Sequence, residues 1–293
     1  MISPFKYRLG IELACDAIRA VLVEPGRSGC ALVDAMAFER PDSDESSEEN
    51  VATLLKSTDR IIPDGGGAVL TSLVLPADRV IESNIRIPTG LKTDMEDWEC
   101  WEVSSHLPGS SDNYWFESSH MRDSVCGKFR VRKIRAARKQ FVQFVLKAAA
   151  RVNLFIDRLF FPQPIWGSIL QAYCLSEGST KLECVYLGER LSYVLRVTDG
   201  MITSLSPVWL PADGDVRQFV DTVATLLSWH GGGSEPGARR IIIDGGGTDE
   251  AASALSSTLG FSEFDSRPIS KLVHGGVGRP ERFLLPLAAL GVI

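Results

Sequence analysis

Residues 182–209 read LECVYLGERLSYVLRVTDGMITSLSPVW, and three apolar runs inside this stretch decide the fold. Segments 182–187, 192–198 and 201–209 are rich in Val, Ile, Leu and Tyr at strand length. Asp199-Gly200 separates the last two by the two residues that a tight hairpin demands, because both central positions of a type I′ turn need positive φ. A helix follows at 216–229, where Phe219, Val220, Val223, Leu226 and Leu227 recur on one face. A Gly-rich break at 231–237 then leads into a strand at 240–244.

The same order stands earlier in the chain. Segments 8–13, 17–24 and 30–39 read as strands, with turns at 14–16 and 25–29. An acid-rich stretch at 41–50 reads as solvated. A short helix at 48–57 and a strand at 67–74 follow. Both copies continue into a further helix, so the pattern is a duplicated βββαβα unit. A length of 293 residues suits about two domains.

Between the copies lies a segment of different character. It reads as a strand at 79–88 and a helix at 93–107, with Thr93 as cap, Glu96 in capping-box position and Pro108 as stop. Strands at 113–120 and 128–135 and an amphipathic helix at 139–153 complete a small α+β insert. A strand at 155–161 and a helix at 165–175 return to the first copy. The expected organisation is a first lobe at 1–75 plus 154–178, an insert at 76–153 and a second lobe at 179–293.

Composition excludes several functions. Net charge is −6 and hydrophobic residues make up 44%, so nucleic acid is not expected as a partner, because phosphate binding needs a basic face. The apolar stretch 283–293 is too short to span a bilayer, and no signal-peptide pattern opens the chain, so a cytoplasmic location is expected. Six irregularly spaced cysteines read as buried free thiols. The four histidines share no metal spacing. No P-loop or nucleophile elbow is present.

Several motifs carry a resemblance over nearly the whole chain. Leu73-Val74-Leu75-Pro76 leads into the insert. Trp98-Glu99-Cys100-Trp101-Glu102 runs to His106-Leu107-Pro108. Ile134-Arg135-Ala136-Ala137-Arg138-Lys139 forms a strand-to-helix junction. Ile241-Ile242-Ile243-Asp244-Gly245-Gly246-Gly247 precedes Leu255 and Leu259-Gly260, and Leu287-Ala288-Ala289-Leu290-Gly291 closes the chain. In this order they resemble the PilM family, the actin-like (ribonuclease-H-like) assembly proteins of type IV pili, related to FtsA and to type II secretion L-type cytoplasmic domains.

The resemblance implies a nucleotide site with contributions from two hairpins and a Gly-rich turn. Glu12, Asp16, Gly188, Gly245, Gly246 and Gly247 are its candidate residues. Gly245–Gly247 suit either close approach of a nucleotide or a tight helix–strand turn. The first hairpin departs from the family's Asp-x-Gly-Ser-Ser: Ala14 replaces a glycine and Cys15 a hydroxyl. Arg19 sits at a basic position of that hairpin and reads more simply as a solvated strand residue. Tyr186-Leu187-Gly188-Glu189-Arg190 replaces Asp-x-Gly in the second, with Glu189 and Arg190 as a hairpin-tip ion pair. The expected protein is therefore a degenerate actin-like ATPase with no catalytic or metal-binding residues and no cofactor. The alternatives are a working ATP- and magnesium-binding switch, a type II secretion L-type domain or, least, a sugar or acid kinase.

By the same resemblance, the partner is a PilN-like bitopic inner-membrane protein. Its N-terminal cytoplasmic tail would dock in a groove between insert and first lobe, holding the chain peripherally at the inner membrane. Trp98, Trp101, Trp115 and Phe116 either line that groove or fill the core of the insert. The basic run 130–139 reads as a contact for anionic lipid or partner carboxylates, or as a solvated strand edge. A homo-oligomer is left open.

Overall fold

The computed structural model describes residues 5–14, 17–26, 29–39, 48–63, 68–89, 95–119, 128–188, 191–199, 201–209, 215–229, 238–243, 248–264, 273–274 and 284–290. Two sheets repeat one plan. In the first, β1 (Tyr7–Leu13), β2 (Ala17–Gly26) and β3 (Gly29–Glu39) form an antiparallel meander, α1 (Glu48–Lys56) follows, and β4 (Val69–Val74) pairs parallel to β1. After the insert, β8 (Arg158–Phe160) adds parallel to β4, and α4 (Pro162–Glu177) follows. In the second, β9 (Lys181–Leu187), β10 (Leu191–Thr198) and β11 (Met201–Trp209) form the meander. Then come α5 (Val216–Trp229), β12 (Ala238–Ile243) parallel to β9, α6 (Asp249–Leu259) and the short β13 (Ser262–Glu263).

The strand orders are β3-β2-β1-β4-β8 and β11-β10-β9-β12-β13. Third, second, first, fourth and fifth strands lie side by side in both, so the duplication read from the sequence holds at the level of topology. A two-residue strand, β14 (Val273–His274), joins the edge of the first sheet beside β3, and α7 (Leu284–Ala289) follows it.

Alternation decides what each face meets. On the second sheet, Val185, Leu187 and Val194 pack against Phe219, Val220 and Val223 of α5 and Ala251 and Leu255 of α6. The opposite face, with Cys184 and Tyr186, receives α4: Trp166 packs tilted against Tyr186 at 5.1 Å, and Tyr173 stacks on Phe264 at 4.2 Å and accepts a hydrogen bond from Arg240 Nε. On the first sheet, Val21 and Val23 pack against Leu287 and Leu290 at the C-terminal helix. Arg8 donates to the Leu290 carbonyl at 3.3 Å. A Cβ on Gly10 would overlap the Pro286 carbonyl, so only glycine lets α7 lie this close to β1. The helix that ends the first copy thus covers the second sheet, and the last helix covers the first.

The insert forms its own three-stranded sheet in the order β5-β7-β6, from β5 (Val80–Pro88), β6 (Tyr114–Ser119) and β7 (Phe129–Arg138). Ile85, Ile87, Ile134, Ala136 and Tyr114 pack against Val103 of α2 (Met95–His106) and Leu107 just after it. The helix α3 (Lys139–Arg151) follows β7 directly and buries Val145, Ala148 and Ala149. By compactness the chain divides into one unit of Met1–Asp44, Leu54–Pro76 and Phe155–Ile293 and another of Glu45–Thr53 and Ala77–Leu154.

Candidate functional site

At the first hairpin Ala14 N–H closes the turn on the Ala17 carbonyl at 2.9 Å. Glu12 lies directly opposite Arg19 in the β1–β2 register, with Oε1 3.5 Å from Nη1. Both are buried, at 6% and 2% exposure. This corrects the reading of Arg19 as a solvated strand residue. Arg8, Gly10 and Glu12 share one face of β1, the face over which α7 lies, so Arg19 is folded under cover and meets the one carboxylate within the ladder. Burying either charge alone would cost several kcal/mol; opposed, they compensate each other. Asp16 and Cys15 lie outside the described residues.

The second hairpin holds a different pair at the matching place. Tyr186 is the penultimate residue of β9, as Glu12 is of β1, and it lies opposite Tyr193. Their rings are 6.1 Å apart, and Trp166 of α4 packs on Tyr186. Three aromatic side chains therefore occupy the position at which the first hairpin carries an ion pair. Gly188 continues from β9, and a Cβ there would sit 2.5 Å from the Leu191 carbonyl. That close return of the chain is sufficient reason for glycine. Glu189 and Arg190 lie outside the described residues, as do Gly245, Gly246 and Gly247. The described chain has β12 before these residues and α6 after them, and α6 starts with Asp249 and Glu250 in its first turn, where acids favour the helix dipole.

The aromatics of the insert separate. Trp98 and Trp101 share a helix face, with rings 5.1 Å apart. Trp98 and Phe116 pack on the insert core, whereas Trp101 is 61% exposed. Trp115 projects from the other face of β6, half-buried. The four residues do not form one continuous surface.

The basic run gives a second correction. β7 is the central strand of its sheet, not an edge. Glu82 on β5 and Glu117 on β6 lie opposite Arg135 on either side, at 3.0 and 3.2 Å, and Lys133 reaches Glu82 at 3.0 Å. In the second sheet Glu183 stands in the same relation to Arg196 on β10 and Arg239 on β12. Neither row was anticipated. Opposite charges at cross-strand positions were the available signal, once the register was known.

Among the described residues no group of three His, Cys, Asp or Glu could hold a metal ion. Burial pushes the Cys174 and Cys184 thiols up from the ordinary range, which keeps both protonated and unreactive. No helix among the described residues is long and apolar enough to cross a membrane.

No family model and no curated protein matches the sequence. Solved structures do. A chain of the PilM–PilN type IV pilus biogenesis complex superposes with a TM-score of 0.77 at 16% identity, covering 99% of both chains. This is an actin-like fold. A Bacteroides thetaiotaomicron protein described as having an actin-like ATPase fold matches at 0.59 and 10% identity, over 98% of each chain. The cytoplasmic domain of EpsL, an inner-membrane component of the Vibrio cholerae type II secretion system, matches at 0.58 and 10% identity, over 97% of this chain and 95% of its own. At these identities the likeness is one of fold. The actin-like fold brings the two hairpins into equivalent positions, which is why Glu12–Arg19 and Tyr186–Tyr193 can be compared residue by residue.

Proposed function

We propose that this actin-like chain is a non-catalytic scaffold of type IV pilus or related secretion assembly. It binds the N-terminal cytoplasmic tail of a PilN-like bitopic inner-membrane protein and is held by that partner beneath the inner membrane. The observation that carries the reading is the superposition, over 99% of both chains, on a chain of the PilM–PilN complex. The insert supplies the surface for the tail, with Trp101 as its most exposed large hydrophobic side chain among the described residues. An exposed indole is a poor resident of a surface and a good anchor for a partner.

The same proposal takes the nucleotide site as degenerate. Glu12 is neutralised within the hairpin by Arg19 instead of facing a hydrated magnesium ion. Tyr186 replaces the acid of the second hairpin and lies under Trp166. These residues do not fit a magnesium–nucleotide complex, so no step is assigned to one. The competing reading is an ATP-binding switch of the same fold, and one titration separates the two. The scaffold keeps its melting temperature in saturating Mg-ATP, whereas a switch gains stability as RT ln(1 + [L]/Kd). The tail reading is tested by fluorescence anisotropy with labelled N-terminal tails of candidate bitopic proteins. Saturable binding by one tail, weakened by Trp101→Ala, is expected, and failure of every tail to bind overturns it.

A further inference from the structure

We infer that the outer face of α3 is a docking surface for an anionic lipid bilayer. Residues 124–156 hold nine Lys and Arg and not one Asp or Glu, in a chain whose net charge is −6. Five of these cations fall into two contrasting sets. Lys133 and Arg135 of β7 are matched by Glu82 and Glu117. Lys139 and Lys147 of α3, with Arg138 just before the helix, are exposed and have no ion-pair partner among the described residues. At 100° per residue, Leu146, Lys139, Gln143, Lys147 and Arg151 fall on one arc, opposite the buried Val145, Ala148 and Ala149.

Two features of this arc are costly to the protein alone. Arg138 and Lys139 sit at the positive end of the helix dipole, with no side-chain cap. Leu146 is 40% exposed among the cations. Local rules are broken where function requires it, and a basic stripe bordered by an apolar side chain suits headgroup phosphates beside acyl chains. An acidic peptide or a nucleic acid would use the cations but gain nothing from Leu146. The surface works independently of any protein tail, so it goes beyond the scaffold reading and survives or fails separately from it.

Flotation of the full chain with phosphatidylcholine vesicles, with and without phosphatidylglycerol, tests this. Binding is expected only to the anionic vesicles and weakens as salt rises. Because each basic residue near such a surface contributes about fivefold in affinity, K139E/K147E should reduce binding at least about tenfold, and L146E should reduce it too. The equal charge change K56E/R217E, at exposed positions elsewhere, should not. If K139E/K147E does not fold, K139Q/K147Q replaces it. Equal binding to neutral vesicles, indifference to the α3 variants, or preference for poly-glutamate or duplex DNA over the anionic vesicles would each overturn the inference.

Discussion

Arg196 donates to Glu183 at 2.6 Å and, through the same Nη2, to the carbonyl of Leu227 in the last turn of α5 at 2.7 Å. On the other side of the carboxylate, Arg239 donates from Nε at 2.9 Å and from Nη1 to the carbonyl of Leu259, the last residue of α6. One buried acid thus orients two guanidinium groups, and each caps the negative end of a helix that covers this sheet.

Replacing that acid by its amide should therefore loosen both helices at once. Glu183→Gln keeps the shape but leaves two guanidinium groups undercompensated, and the expected loss is roughly 3 kcal/mol. Urea unfolding followed by far-ultraviolet circular dichroism checks it. A loss below about 0.5 kcal/mol would mean the charge row carries no weight, as for an exposed pair.

Gly10 and Gly167 predict opposite signs for the same substitution. Gly10→Ala pushes a methyl group into the backbone of α7 and should cost about 1–3 kcal/mol as overpacking. Gly167 lies within α4, where the nearest atoms to a new Cβ are 3.9 Å away on the Ile202 side chain. Gly167→Ala should add about 0.5–1 kcal/mol through helix propensity. Thermal melts of the two variants beside the parent give both signs.

The Glu12–Arg19 pair calls for a double-mutant cycle. Arg19→Met alone removes the guanidinium opposite a buried carboxylate and should cost about 3–5 kcal/mol. Glu12→Gln combined with Arg19→Met should recover a large part of that, because a neutral pair has no charge to compensate. Equal losses in the single and double variants would show that Arg19 stabilises by packing instead.

Alkaline pH should destabilise the fold through Cys184. Its thiol lies in the core between β9 and α4, and burial, with Cys174 nearby as a lesser cause, pushes it above the ordinary value of 9.0. Below that value both folded and unfolded chains hold the proton, and the contribution to stability is complete. As pH rises above about 9 the unfolded chain ionises first, and stability falls by up to ~1.4 kcal/mol per pH unit for this one group. Urea midpoints measured across that range should slope downward less steeply in Cys184→Ala. Brief alkylation of the folded protein should modify the exposed Cys100 and spare Cys174 and Cys184.

Where the sequence carried a strong local signal, the structure followed it. β11 and α5 begin and end at the expected residues, because Asp199 takes the positive φ of 50° that its turn requires and the α5 stripe is unbroken. Pro25 and Gly26 favour a turn by type, yet β2 runs through them, since pairing with Gly29 and Cys30 overrides their local preference. β13 and β14 went unseen: two residues show no period. Arg19 could not be placed from its own neighbourhood, because its face of the sheet is covered by α7, more than 260 residues downstream. The mismatch of Tyr186 to an acidic position was legible, but not that Tyr193 and Trp166 fill the space around it.

The exchange of covering helices has a consequence for biosynthesis. The backbone of Pro286 closes over Gly10, and the Leu290 carbonyl that accepts from Arg8 lies 282 residues beyond it. Until that segment leaves the ribosome, Val21 and Val23 of the first sheet lack the Leu287 and Leu290 against which they pack. Closure of the first sheet therefore waits on residues made long after its own strands, and a chain truncated before Leu284 should leave that apolar face bare.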